Sequence, residues 1–433
     1  MALPIGTVLG LMALLLTSGV WIGIALLGVG AGSLALLRSM PVDRLLGQIT
    51  WNSVTSPELV ALPLFVLMAE LLFRTRLSEL LFSALVPWTQ RLPGRLLHVN
   101  VLGCTLFATI TGSSAATTVT VGKITAHQLL KRGYDKDLVM GSLAGAGTLG
   151  FLIPPSTMMI IYGVLSQTSI IRLFIAGIVP GLCIAALYMG YLGAVAKLRP
   201  GVVPDDHASY SWGERLRAAL GILPIAGLIV MVMGSMYAGL ASPSEAAAVG
   251  VFGALALAIA QRGLTLKGLW EALVSAACTT SMIGLIIAGA MFLSTAMGFL
   301  GIPRAAANAV EALGLSPFML MVVLLGVYIV LGCVLEGLSL MVMTLPIALP
   351  MVVAAGYDPI WFGIFLILVI ELAQITPPVG FNLFVLQSLT GEPIYRIARA
   401  TFPFFVIMAL FTIFVSAVPE LVTWLPDRMA ARN

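Results

Sequence analysis

The sequence predicts an all-α polytopic membrane protein built from two inverted halves, on three observations. Of its 433 residues 60% are hydrophobic and only 9% charged, with a mean hydropathy of +1.08, whereas a soluble domain carries about 25% charged residues. Apolar stretches recur from Leu3 to Trp424, many of them about 20 residues long, the length of a helix that crosses a hydrocarbon core of roughly 30 Å. Uncommon elements also reappear at one spacing. Gly-Tyr-Asp occurs at 133–135 and 356–358, and Pro-Pro at 154–155 and 377–378; both pairs are offset by 223, as are Pro180 and Pro403.

Apolar runs between polar or Pro/Gly breaks give ten expected crossings, near 3–16, 19–37, 57–73, 137–165, 171–196, 218–239, 243–260, 272–297, 360–388 and 400–421. The offset maps Ser18-Gly19 onto Ala241-Ser242, so the first apolar stretch reads as two helices joined by a tight turn. Two further stretches, 96–122 and 317–353, are interrupted midway by Thr111-Gly112-Ser113-Ser114 and Glu336-Gly337-Leu338-Ser339. These read as re-entrant hairpins, because non-helical backbone at membrane depth survives only when buried in protein or lining a watery cavity. Their tips, Gly112–Ala116 and Leu335–Ser339, share the 223 offset. Leu77–Arg91 and Pro303–Leu313 are amphipathic and precede the hairpins; they read equally as interfacial braces or as ordinary connectors.

Charge distribution supports this layout. If the first hairpin opens to the cytoplasm, 16 of the 22 Lys and Arg fall on the cytoplasmic side, and Arg38, Arg44, Arg172, Arg304, Arg428 and Arg432 fall outside, as the positive-inside bias requires. Five crossings separate the hairpins, so the second enters from the opposite face. Inverted repeats with binding elements near the midplane are a recurring plan of secondary transporters.

Several function classes are disfavoured. There is no GxxxxGK[ST] loop and no HExxH, so neither ATP hydrolysis nor a zinc hydrolase is expected. His98, His127 and His207 have no nucleophile pattern around them, and no enzyme activity is expected. Cys104, Cys183, Cys278 and Cys333 lie within apolar stretches without a CxxC pair and read as small buried hydrophobes. The 21 Met residues are dispersed core filler. The start MALPIGTVLG lacks the basic n-region of a signal peptide, so the first segment is expected to be a retained span.

The chemistry concentrates at the two Pro-Pro breaks and the two tips. Consecutive prolines free backbone carbonyls for a cation and leave a half-helix N-terminus facing an anion. Gly147, Thr148, Pro154, Pro155 and Ser156 mark the first break, and Thr376, Pro377, Pro378, Gly380 and Asn382 the second. The tips add Gly112, Ser113, Ser114, Thr117 and Thr118 on one side and Glu336, Gly337 and Ser339 on the other. A single Pro-Pro reads as a packing kink, and a Ser/Thr-rich helix as interhelical bonding. Tip and break coinciding in both halves points instead to two cation sites flanking a central substrate position, with Ser114, Thr117, Pro155, Ser156, Ser339, Pro378 and Asn382 facing the substrate. Glu336 and Glu371 are intramembrane carboxylates, costly unless paired, protonated or facing a cavity. Glu336 is the better functional candidate, Glu371 a stabiliser of the break. Glu70 is expected to reach the interface near Arg74.

Together these motifs resemble the large membrane (permease) subunit of tripartite ATP-independent periplasmic (TRAP) transporters, in the ion-transporter superfamily. The carrying stretches are Leu92-Pro-Gly with His98-Val-Asn, Gly112-Ser-Ser-Ala-Ala-Thr-Thr-Val-Thr-Val-Gly, Lys131-Arg-Gly-Tyr-Asp, Ile153-Pro-Pro-Ser, Ile161-Tyr-Gly-Val, Phe174-Ile-Ala-Gly-Ile-Val-Pro-Gly, and Ile375-Thr-Pro-Pro-Val-Gly-Phe-Asn-Leu-Phe-Val. The resemblance implies an elevator fold and sodium-driven uptake of a small organic anion, such as a C4-dicarboxylate or related carboxylate, across the bacterial inner membrane. It implies no cofactor beyond Na+ as coupling ion. It also implies two partners, a small four-helix membrane subunit and a periplasmic substrate-binding protein; no nucleic-acid partner is expected. One sodium site would use Gly112, Ser113 and Ser114 with Gly147, Thr148 and Pro154, the other Glu336, Gly337 and Ser339 with Thr376, Pro377 and Gly380.

On this reading residues 1–73 are first-half scaffold, 74–95 an interfacial arm, and 96–197 the first transport repeat. Residues 198–302 are then second-half scaffold with a cytoplasmic connector, 303–316 the second arm, and 317–433 the second transport repeat. A self-sufficient sodium/carboxylate symporter of the same superfamily is the alternative.

Overall fold

The computed structural model describes residues 2–75, 77–199, 201–204, 210–261, 263–312 and 314–430, and every regular element among them is helical. His207, Arg76, Arg262, Leu313 and Arg432, used in the sequence reading, lie outside the described residues.

The Gly-Tyr-Asp repeat has a local physical cause. Gly133 (φ +83°) and Gly356 (φ +95°) take the left-handed conformation that ends the preceding hairpin helix. Two residues later Asp135 accepts a hydrogen bond from the Leu138 N–H (2.9 Å), and Asp358 accepts from Ile360 (2.6 Å) and Trp361 (3.3 Å). The same three residues therefore stop one helix and cap the next, each cap being worth about 1 kcal/mol.

The hairpins form where the interruptions predict them. The first pairs Leu97–Thr111 with Ser114–Lys131, and the second Pro317–Gly332 with Gly337–Ala354. Each Pro-Pro span is broken, into Lys136–Thr148 and Thr157–Ser166 in the first half and Pro359–Gln374 and Phe381–Thr390 in the second. Pro359–Gln374 is apolar nearly all round and is buried at every position from Ile360 to Gln374, which places it at the centre of the fold. Ile394–Ala417 packs on Lys136–Thr148 through glycines. A Cβ on Gly141 would stand 2.3 Å from the Ala400 carbonyl oxygen, and one on Gly145 would stand 2.7 Å from Phe404.

A second group of helices forms the scaffold: Ile22–Leu37, Ala61–Phe73, Pro243–Ala260 and Leu266–Leu300. Ile22–Leu37 lies along Leu266–Leu300, where Gly23 and Gly289 bring the backbones together, the close approach that small residues permit between membrane helices. Gly19 (φ +77°) makes the turn expected after the first helix, Ala2–Thr17.

Among the described residues five helices are long and apolar enough to cross a membrane unaided: Ile170–Leu198, Pro243–Ala260, Leu266–Leu300, Gly337–Ala354 and Ile394–Ala417. Gly337–Ala354 belongs to the second hairpin, and two bent pairs reach a comparable apolar length only together. Val42–Val54 precedes Pro57–Phe73 at a 50° bend, and Trp212–Leu220 precedes Leu223–Tyr237 at the same angle. Neither Val42–Val54 nor the part of Trp212–Leu220 before the 218–239 crossing reads as a span from sequence, because their apolar positions alternate with polar ones and are too few. Trp212–Leu220 begins with a complete capping box between Ser211 and Glu214. Leu77–Thr89 and Ile302–Ala312 form as helices at the two amphipathic stretches, and Glu420–Ala430 adds an unpredicted C-terminal helix.

Where the first break helix begins and the second ends, Lys136 bonds Glu392 (3.0 Å) while Arg396 reaches both Asp137 (2.9 Å) and Glu392 (3.0 Å). The Lys136 hydrogen bond holds the Glu392 carboxyl below the usual range. A depressed carboxyl adds stability that is present above its unfolded pKa and lost as pH falls through its folded one. The melting temperature of the purified protein should therefore fall as pH drops below about 5 towards about 3, and fall less in Glu392→Gln. Equal falls would show that this cluster carries no stability.

Candidate functional site

At the first tip, Gly112 sits at φ +56°, and a Cβ there would stand 2.7 Å from the Pro155 carbonyl oxygen. Its own carbonyl accepts from the Thr157 N–H (3.2 Å) and hydroxyl (2.8 Å), so the tip is stitched to the residues just after the Pro-Pro. Gly150 meets the tip from the other side, where a Cβ would stand 2.5 Å from the Ser113 oxygen. Gly147 faces Thr118, whose Oγ1 would be 1.9 Å from a Cβ. Three glycines thus seat the first hairpin against the break, Gly112 and Gly150 with backbone on backbone and Gly147 against the Thr118 side chain.

The second tip repeats the arrangement with different side chains. A Cβ on Gly337 would stand 2.5 Å from Ile370 and 3.0 Å from the Gln374 amide nitrogen, and one on Gly332 would stand 2.5 Å from Ala373. Ala373 occupies the position that Gly150 holds in the first half. Glu336 caps the second hairpin helix, accepting from the Ser339 N–H and hydroxyl at 3.4 Å each.

Both breaks leave backbone oxygens unspent. Among the described residues no hydrogen bond reaches the carbonyl oxygens of residues 151–155, nor those of Gln374, Ile375, Pro377, Pro378 and Val379. Thr148 and Thr376 turn their hydroxyls back onto Gly145 (2.8 Å) and Leu372 (2.6 Å). Among the described residues no group of three or more His, Cys, Asp or Glu could hold a metal ion. The available donor set is therefore neutral, hard oxygen, which suits an alkali or hydrated cation rather than a transition metal.

The halves are also joined to each other. Asn382, fully buried at the start of Phe381–Thr390, donates from Nδ2 to Ser114 Oγ (2.8 Å), so the helix after the second break is anchored on the first tip. Thr117 Oγ1 donates to the Ser113 carbonyl (2.8 Å).

A cavity of about 310 Å³ lies between these tips and the scaffold helices. The scaffold contributes Val66, Ala69, Glu70, Phe73, Thr279, Met282 and Ile283. The transport half of the wall includes Thr111, Ser113, Phe151, Thr157, Glu336, Gln374 and Phe381. Ser113 and Glu336 of the sequence-predicted set line this cavity. Ser114, Thr117, Ser156, Ser339 and Asn382 are buried just behind the wall, Pro155 is buried beside the first tip, and Pro377 and Pro378 are exposed. The wall is built from their sequence neighbours, because a tip that starts a helix turns successive side chains by about 100°. Glu371 is fully buried, with the Leu152 backbone beside its carboxyl group. Glu70 lines the cavity and accepts from Ser275 (2.8 Å).

Sequence reasoning missed Phe151 and Gln374, although the 223 offset pairs them and both fall inside the break motifs. Thr279, Met282 and Ile283 carried no such signal, since nothing in an apolar helix marks which face lines a cavity.

Residues 9–421 match the family described as tripartite ATP-independent periplasmic transporter, DctM component. The chain belongs to this family. Among its relatives is the C4-dicarboxylate TRAP transporter large permease protein of Pseudomonas aeruginosa, 33% identical and covering 93% of each chain. The isethionate TRAP transporter permease protein DctMQ of Oleidesulfovibrio alaskensis is 31% identical over 96% of this chain and 66% of its own length. In fold the DctM-family chain is similar to the Alcanivorax borkumensis YdaH transporter, with a TM-score of 0.67, 16% identity and coverage of 96% and 99%. The DctM-family chain is thus a multi-pass membrane transport permease.

A methyl at Gly150 has only backbone to displace. Gly150→Ala should lower stability by roughly 1–3 kcal/mol and impair transport. Gly190→Ala, in open space, should do neither. Equal melting temperatures for the two variants would refute the tip-to-break seating.

Proposed function

We propose that this chain is the large membrane subunit of a sodium-driven TRAP transporter in the bacterial inner membrane. It takes up a small organic anion handed over by a periplasmic binding protein, and works with a small four-helix membrane subunit. The observation that carries the reading is the repeated seating of a glycine-rich tip on a proline-broken helix, with both tips meeting at one cavity. Each seat would offer oxygen atoms to one Na+, among them the Pro154 and Pro377 carbonyls, which receive no hydrogen bond from any described residue. The first would use the Gly112–Ser114 tip with Gly147, Thr148 and Pro154, the second Glu336, Gly337 and Ser339 with Thr376, Pro377 and Gly380.

Binding of cations at both seats would complete the tips and add positive charge beside the anion. The tip-bearing hairpins and broken helices would then cross the membrane as one body against the scaffold, an elevator movement. The family match supports the partner assignment, and the name DctMQ of the longer isethionate relative, two thirds of which this chain covers, fits a large and a small membrane subunit joined in one chain. No cofactor is required.

The test is uptake by proteoliposomes holding the chain with its small subunit, given radiolabelled organic acids with and without the binding protein. Uptake should require both an inward sodium gradient and the binding protein. Thr376→Ala should raise the sodium concentration needed for half-maximal uptake. Uptake indifferent to sodium would overturn the coupling, and sodium-driven uptake without the binding protein would identify a self-sufficient symporter.

A further inference from the structure

Position 151 of the first break and position 374 of the second are counterparts under the 223 offset, and both side chains line the 310 Å³ cavity. One half places a phenyl ring there and the other an amide. Gln374 is only 4% exposed, and its amide makes no hydrogen bond with any described residue. The missing side chain of Gly337 is what lets the amide nitrogen lie against the second tip. The amide is not among the side-chain atoms sealed away without a partner, and it borders the cavity, where an occupant can complete its hydrogen bonds.

The charge of the wall limits what that occupant is. Glu70 and Glu336 line the cavity, and no Lys, Arg or His does. The hairpin helices begin at Ser114 and Gly337, and their first-turn residues Ala115 and Leu338 form part of the wall. Each helix N-terminus carries roughly half an elementary positive charge, so the two together balance about one carboxylate. Coupling cations in the proposed seats would offset the two glutamates. A second carboxylate on the ligand would then meet only the hydroxyl-bearing Thr111, Ser113, Thr157 and Thr279 and apolar side chains such as Phe151, Met158 and Ile283, with no counter-charge, and desolvating it there is unfavourable.

We infer that Gln374 is a specificity-determining residue that hydrogen-bonds the carboxylate of a monocarboxylate ligand, and that the cavity prefers a single carboxylate with an apolar body over a C4 dicarboxylate. This rests on the proposed transport function and narrows its substrate class. Phe151, at the mirrored position, packs on the apolar body.

Binding is read by calorimetry on the membrane complex of this chain and its small subunit in nanodiscs with sodium, without the binding protein, so that selectivity belongs to the membrane part alone. The probes are 4-methyl-2-oxopentanoate and succinate. The keto acid should bind at least roughly tenfold tighter than succinate, and Gln374→Leu should weaken it by roughly tenfold or more, the scale of one hydrogen bond to a charged group. Phe151→Gln, which makes the two halves alike, should narrow the gap by improving succinate. Gln374→Glu keeps the side-chain shape and should abolish keto acid binding, which decides the matter if the Leu variant fails to fold.

Succinate binding as tightly as the keto acid, or a Gln374→Leu or Gln374→Glu complex that binds the keto acid like the wild type, would overturn the inference. So would the absence of binding by either acid. Sodium-driven uptake of any organic acid by the complete transporter would in those cases leave the proposed function standing, whereas its absence as well would remove both.

Discussion

Backbone that leaves the helix inside a membrane has no water to satisfy it, and the whole architecture follows from how this chain encloses four such places. Two hairpin tips and two Pro-Pro breaks expose N–H and carbonyl groups at membrane depth, where each unsatisfied group costs several kcal/mol. The solution is to bring each tip onto a break. The Thr157 bonds to Gly112 satisfy a tip carbonyl directly, and the glycines at 112, 147, 150, 332 and 337 remove every side chain that would hold the partners apart. The fully buried helix Pro359–Gln374 is the floor on which the second tip and part of the first half rest.

Enclosure is incomplete, and the remainder is where chemistry becomes possible. Carbonyls of both breaks receive no hydrogen bond, and the Asn382 and Asn100 side chains each leave one oxygen unpartnered after donating to Ser114 and Ser142. Oxygen of this kind, neutral and rigidly held, binds a weakly charged cation without demanding a proton or a redox change.

Much of this was legible in the sequence because it is written in residues with unusual backbones. Glycine, proline and the capping Asp135 and Asp358 mark hairpins, breaks and the 223 offset, and the structure places tips and breaks where those marks put them. The cavity wall was not legible in the same way. Which of Ser113, Ser114 and Thr117 faces the cavity depends on the angle at which a helix leaves its tip, and one residue of rotation exchanges wall for core. The scaffold side of the wall, at Thr279 and Met282, is invisible in an apolar helix that also faces lipid. Val42–Val54 and Trp212–Leu220 were missed because a short helix at an interface has neither a span's length nor a core helix's uniform stripe.

The Gly-Tyr-Asp joint has a mechanical side. Because Gly133 ends one helix and Asp135 already caps the next, the hairpin and its broken helix share a hinge with almost no free chain, and the second half repeats this at Gly356 and Asp358. A joint that short transmits force instead of absorbing it. A pull on either hairpin base is felt at once in the broken helix behind it, so any compliance in this molecule has to come from outside these two joints.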